Sequence, residues 1–177
     1  MPTRAETLAW VIETSAPLVA RFFAGFTDAN RAVQARHLPN HFVWTLGHVA
    51  LTMHRLAEKL DGEPIPAADF EVGTLRPPGD PPERFGTEAV CFGSTPTPDA
   101  GAYPTTARAR EVFDAALARL ARAVRHADDD ALNRPTSWGK NELPLGDLIV
   151  RVIFHNALHA GEIVDLRRAL GLGRVVG

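Results

Sequence analysis

Nine prolines fall within residues 61–104: Pro64, Pro66, Pro77, Pro78, Pro81, Pro82, Pro96, Pro98 and Pro104. Each lacks a backbone donor and fixes its own φ, so this stretch cannot be one long helix. It is not plain linker either, because Phe70, Phe85, Val90, Phe92 and Tyr103 lie within it, and such side chains favour burial. A long ordered crossover laid over neighbouring helices satisfies both requirements. The chain is therefore divided, with helical segments on each side of a non-helical middle.

Four segments have helical periodicity. In residues 6–27, Leu8, Val11, Ile12, Leu18, Val19, Phe22, Phe23 and Phe26 recur at spacings of three and four and form one apolar stripe. Pro17 predicts a kink or break there. The second segment spans 41–60, with Asn40 as candidate N-cap and Gly62 as stop. The third, 106–126, is rich in Ala, Leu and Arg and has Thr105 or Thr106 to cap it. The fourth, 145–170, ends at Gly171. Residues 127–144, beginning D-D-D and containing Trp138, are expected to be a second, shorter loop. The expectation is an all-α four-helix bundle forming one domain over 1–177, with 61–104 as a long crossover between helices two and three. Periodicity alone leaves the up-down order open.

Several functions are disfavoured by composition. A formal net charge of −2 and a pI near 6.4 give no bulk charge for nucleic acid. No stretch is apolar for long enough to span a bilayer, and the N-terminal run is interrupted by Arg4, Glu6, Glu13 and Arg21, unlike a signal peptide. A lone Cys91 rules out an internal disulfide and is compatible with the cytosol. The expectation is a soluble cytoplasmic protein with no nucleic-acid or membrane partner.

The stretch H-N-A-L-H-A-G-E at 155–162 bears most directly on chemistry. His155 and His159 are four apart, so they lie one turn above each other on one helix face, and Glu162 shares that face. Leu148, Val152 and Ile163 place this side toward the core. Burying two imidazoles without partners costs about 2–7 kcal/mol by transfer measures, and a divalent metal would satisfy both at once. Zinc sites use at least three protein ligands, and His48 on the second helix is the candidate third. It lies about 18 Å before the end of its helix, while His155 and His159 lie about 15–21 Å into theirs. These heights coincide if the two helices run antiparallel. Gly47 beside His48 suggests close backbone approach or ligand access. His41, two turns before His48, is a candidate supporting group or pocket-mouth residue; His54 faces elsewhere, and His37 and His126 lie near segment ends.

Three motifs, W-T-L-G-H-V-A at 44–50, F-G-S-T-P-T-P-D-A-G-A-Y-P at 92–104 and H-N-A-L-H-A-G-E-I at 155–163, occur in this order. Together they resemble the DinB-like superfamily, which includes YfiT-like proteins, over most of the chain. The resemblance implies an up-down-down-up bundle with a divalent metal held by His48, His155 and His159. It also implies a homodimer and, for some members, transferase or isomerase activity dependent on a low-molecular-weight thiol. One departure is H-A-G-E at 159–162 where many members have H-R-G-Q.

Glu162 is the candidate catalytic residue, as a general base toward water or thiol. It could otherwise accept an imidazole N–H, or be a surface acid near Arg167 and Arg168. Zinc or nickel is the first expectation for the metal, with manganese or iron behind them. Phe92, Trp138 and Tyr103 are candidates for a pocket wall around a small-molecule ligand. Cys91, between Val90 and Phe92, reads as an inert buried thiol, and Arg108, Arg110, Arg119, Arg122 and Arg125 as a solvated helix face. Three functions remain open: a thiol-dependent transferase acting on a small electrophile, a metal-dependent hydrolase, and a non-catalytic dimeric binding or stress-related scaffold.

Overall fold

A computed structural model describes residues 1–73 and 81–175; Pro77 and Pro78 of the crossover lie outside the described residues. Four long helices, α1 (Arg4–Phe22), α2 (Phe42–Asp61), α4 (Thr106–Arg125) and α6 (Leu145–Ala169), form the bundle. Between α2 and α4 lie β1 (Phe70–Glu71), β2 (Phe85–Gly86), the one-turn helix α3 (Thr87–Val90) and a 3-10 turn at Ala100–Ala102. Between α4 and α6 lie a short helix α5 (Asp129–Asn133) and the strands β3 (Pro135–Trp138) and β4 (Asn141–Pro144).

Hydrogen bonds between helix ends fix the order. Arg134 next to the start of α6 donates to the Lys59 carbonyl near the end of α2, at 2.6 Å, and Asn40 before α2 donates to Glu162 late in α6, at 2.9 Å. These two helices are therefore antiparallel. Arg4 donates to Asn133 at one end of the bundle and Arg167 to the Phe22 carbonyl at the other, so α1 and α6 run the same way. Arg119 in the last half of α4 reaches Asp61 at the end of α2, which makes those two parallel. The topology is up-down-down-up, and the crossover is what allows α2 and α4 to point the same way.

Local sequence explains the boundaries. Thr3 and Glu6 form a capping box at the start of α1. The helix continues through Pro17 without a break, and only the bond from residue 17 to the Glu13 carbonyl is lost. Phe23, which closes it, turns inward with Phe26 to pack on Phe42 and Phe113. The N-cap of α2 is His41 and not Asn40: its Nδ1 accepts the Trp44 N–H at 3.3 Å. Gly62, at φ 74°, ends that helix in the left-handed conformation. Thr105 caps α4, whose buried face is Ala109, Val112, Phe113, Ala116, Leu120 and Val124.

The second loop is more ordered than its composition suggests. Asp128 caps α5 through Ala131 N–H. Then P-T-S-W pairs antiparallel with N-E-L-P, Trp138 opposite Asn141. Gly139, at φ 61°, takes the first corner of the two-residue turn, where a II′ hairpin requires glycine. The arginine run on α4 is a solvated face only at Arg122 and Arg125. Arg119 is buried on Asp61, at 2.9 and 3.0 Å, and Arg108 pairs with Asp69 at 2.7 Å. Arg110 reaches the Phe23 carbonyl and lies over the Phe23 and Phe42 rings. These cations tie the start of the bundle and the crossover to α4.

Candidate metal centre

Gly47 sets the depth of the site. The Phe85 ring packs so close to its Cα that a Cβ built there would lie 2.6 Å from two ring carbons and 3.0 Å from Val90. The glycine thus serves packing of the crossover, not ligand access. With β2 and α3 seated in this way, the Val90 carbonyl comes to 2.8 Å from His48 Nδ1. The crossover is pinned at further points. Trp44 Nε1 donates to the Ala89 carbonyl at 2.9 Å and to Ser94 Oγ at 3.1 Å. His41 Nε2 donates to the Thr97 carbonyl at 2.9 Å, and Tyr103 Oη accepts from Thr97 N–H at 3.0 Å. His41 is therefore fully buried and structural, and it lines no pocket mouth.

His48, His155 and His159 converge across the α2–α6 interface, with ligand atoms all within 4.8 Å of one another. His155 Nε2 lies 3.1 Å from His48 Nε2 and 3.1 Å from His159 Nε2. Bonds of about 2.0–2.1 Å to one ion, at octahedral or tetrahedral angles, would put the nitrogens about 2.8–3.4 Å apart.

The proton inventory supports the same arrangement. His48 Nδ1 faces a carbonyl, which only accepts, so that nitrogen holds the proton and Nε2 presents a lone pair. His159 Nδ1 faces the Glu162 carboxylate at 2.7 Å, with the same consequence. His155 Nδ1 faces the Asn156 side-chain oxygen at 3.2 Å. Three lone pairs thus point at one place with no proton to place between them. A cation there turns mutual repulsion into coordination, so the residues fit a divalent metal.

The surroundings keep His48 and His155 neutral. Burial pushes His48 down to about 4, against a smaller opposing effect of its bond to Val90. Burial also lowers His155. Glu162 is held below the usual carboxylate range chiefly by its hydrogen bond to His159. Trp44 stacks on His48, centroids 4.7 Å apart and planes within 8°, and fixes the ring's tilt.

A cleft of about 980 Å³ opens beside the cluster, with His48 and His155 in its wall. Phe92 and Trp138 line it, whereas Tyr103 is buried in the core. Cys91 is half-buried and also lines the cleft, contrary to the expected buried thiol; the chain leaves its Val90–Phe92 neighbourhood with Phe92 almost wholly exposed. His54 does face elsewhere, against Arg119 and Asp69.

A family model described as the DinB superfamily matches residues 5–163. The chain belongs to the DinB superfamily. The fold agrees: the crystal structure of a conserved protein from Enterococcus faecalis superposes with a TM-score of 0.72, covering 96% of this chain and 98% of that one. At 14% identity this likeness concerns the fold. No curated protein matches the chain significantly. Among the described residues of this superfamily member, no helix is long and apolar enough to cross a membrane.

Asn40, read from sequence only as a helix cap, supports the imidazoles through Glu162, and Trp44 and Ser94 support them too without being among the candidate site residues. Only Trp44 carried a usable signal, since it lies four residues before His48 on one helix face.

Proposed function

We propose that His48, His155 and His159 hold one divalent metal ion and that the protein is an enzyme acting on a small molecule in the adjoining cleft. The cleft is the observation that carries this reading, because a structural site would be closed on all sides whereas here the wall containing His48 and His155 faces open space. Zinc and nickel come first for an all-imidazole site, followed by manganese and iron. Three imidazoles leave a coordination position at which such an ion supplies Lewis-acid activation of a thiol or water.

The protein's own residues would do the rest. Val90 and Glu162 hold the Nδ1 protons and so keep the Nε2 lone pairs facing the ion. Asn40 holds Glu162 in place. Glu162 thereby acts through His159 as a positioning residue. Trp138 and Phe92 present apolar surface to the substrate. A low-molecular-weight thiol as co-substrate, with transfer to a small electrophile in the cytoplasm, is the first assignment. Hydrolysis is the second.

We also assign the α1–α6 face to a homodimer. A groove of about 640 Å³ lies there, lined by Ile12, Leu18, Phe22, Ile153 and Val164. Beside it Val150, Phe154 and Leu158 form an exposed apolar row at four-residue spacing. Phe154→Glu should convert a dimer to a monomer in sedimentation; a wild-type monomer would refute the assignment.

The function is tested by loading the metal-free protein with zinc or nickel and supplying a low-molecular-weight thiol with a haloaromatic electrophile. Thiol consumption that requires His48 and the metal supports transfer. Turnover of ester or amide substrates without thiol would favour hydrolysis, and a metal that exchanges no ligand with solvent would favour a non-catalytic scaffold.

A further inference from the structure

The cleft contains charge that the imidazole cluster does not use. Arg55 and Lys59 reach it from α2, Arg151 from α6 and Lys140 from the tip of the β3–β4 hairpin. Glu58 is the acidic residue in the same lining. Several cations outside the cleft are answered, Arg84 by Glu71, Arg108 by Asp69, Arg119 by Asp61, Arg125 by Glu13 and Arg168 by Asp165, while the exposed Arg21, Arg36 and Arg122 are scattered and share no concavity with one another. Among the described residues, none of the four cleft cations has a carboxylate within 4.0 Å in an ion pair; Arg55 acts on Glu88 only at longer range. A chain of net charge −2 thus places unpaired positive charge from three separate elements in one concavity. Low-dielectric walls focus such a field and attract anions, and guanidinium forks recognise carboxylate, sulfonate or phosphate oxygens.

Position refines the ligand. His48, Thr52, Arg55 and Lys59 follow one another along the face of α2 that lines the cleft. Seven and eleven residues separate Arg55 and Lys59 from His48, about 10 and 16 Å along the axis. Arg151 is one turn from His155, about 6 Å. Trp138 and Phe92 supply apolar surface to the same cleft.

We propose that the cleft binds a small organic anion, with its carboxylate, sulfonate or phosphate held by Arg55, Lys59, Arg151 and Lys140 and its apolar part against Trp138 and Phe92. This orients the other end of the molecule toward His48 and His155. The proposal rests on the reading of the cleft as the substrate site and gives that substrate its charge.

Two fluorescent probes that share an aromatic body isolate the charge: anilinonaphthalene sulfonate, which is anionic, and N-phenylnaphthylamine, which is neutral. Wild-type protein should bind the sulfonate at least about tenfold more tightly, the scale of one charge-assisted contact. The preference should fall as salt is raised. The Arg55→Gln/Arg151→Gln variant, checked for folding by circular dichroism, should lose about tenfold for the sulfonate and little for the neutral probe. Lys140→Gln, on the exposed hairpin tip, should lose less, and Trp138→Ala should weaken both probes. Equal affinity of wild type for the two probes would overturn the proposal. So would sulfonate binding that the variants leave unchanged, since the probe would then lie in the α1–α6 groove. Neither readout depends on a bound metal, so if the protein proves to take up no metal, continued discrimination between the probes leaves the anion site standing while the metal reading fails.

Discussion

Replacing Gly47 by alanine opposes two effects of opposite sign. In an unobstructed helix interior the change stabilises by about 0.5–1 kcal/mol, because alanine has less backbone entropy to lose. Here the new methyl would meet two carbons of the Phe85 ring at 2.6 Å and Val90 at 3.0 Å. Phe85 is 1% exposed and has no empty space to swing into. Forcing a methyl into a filled core costs about 1–3 kcal/mol. The net expectation is a loss of about 1–2 kcal/mol, or about 2–8 °C in midpoint for a chain of this length. Urea denaturation of chelator-treated protein measures this without contribution from metal linkage. Phe85→Leu in the same background should recover part of the loss, so the pair should couple. Because Val90 holds His48, the alanine variant should also bind metal more weakly. A variant as stable as wild type or more so, or one whose loss simply adds to that of Phe85→Leu, would refute the packing account.

Other outcomes follow from the buried polar groups. His41 and His54 are pushed down to about 4, in both cases chiefly by burial. The unfolded chain takes up these protons below about 6.5 and the folded chain does not, so each histidine contributes stability present above about pH 6.5 and lost toward pH 4, about 3 kcal/mol apiece. Urea midpoints between about pH 7 and pH 4.5 should fall steeply, and a flat profile would contradict the assignment. Arg119→Met leaves the Glu63 and Pro64 carbonyls without the guanidinium and Asp61 with only the Glu63 N–H and should cost about 2–4 kcal/mol, below the fully buried limit because Asp61 is partly exposed; denaturation checks it, and a neutral effect would show the cluster to be dispensable. Glu162→Ala should weaken metal binding about 10- to 100-fold with the fold intact, and Glu162→Gln less. Chelator competition measures both, and unchanged affinity would remove Glu162 from the site.

Much of the bundle was legible because its signals are local. The stripes of α2, α4 and α6, Gly62 as a stop and Thr105 as a cap depend on neighbours a few residues away. The imidazole cluster was legible in part for the same reason: His155 and His159 share a face by their spacing alone, whereas helix heights bring His48 level with them only when α2 and α6 run antiparallel, as Asn40 and Arg134 show they do. What was missed depends on distant partners. Asn40 has the composition of an N-cap, yet its amide is taken by Glu162, 122 residues away, and His41 caps the helix in its place. Arg119 sits in a run of helix formers that reads as solvated, yet its partners are Asp61 and the Glu63 and Pro64 carbonyls, more than fifty residues away. The hairpin at 135–144 escaped because Pro135 and Pro144 mark both ends as loop, while the Gly139 turn signal lay between. Cys91 has apolar neighbours in sequence but not on both sides in space, because Val90 turns inward and Phe92 outward.

The most direct test of the central claim is metal content by elemental mass spectrometry, on protein purified without an affinity tag and on His48→Ala and His159→Ala variants. The account predicts close to one divalent metal per chain in the wild type and loss of it in both variants, one from each of the two helices. A folded wild-type protein that takes up no metal after reconstitution with zinc, nickel and manganese would contradict it.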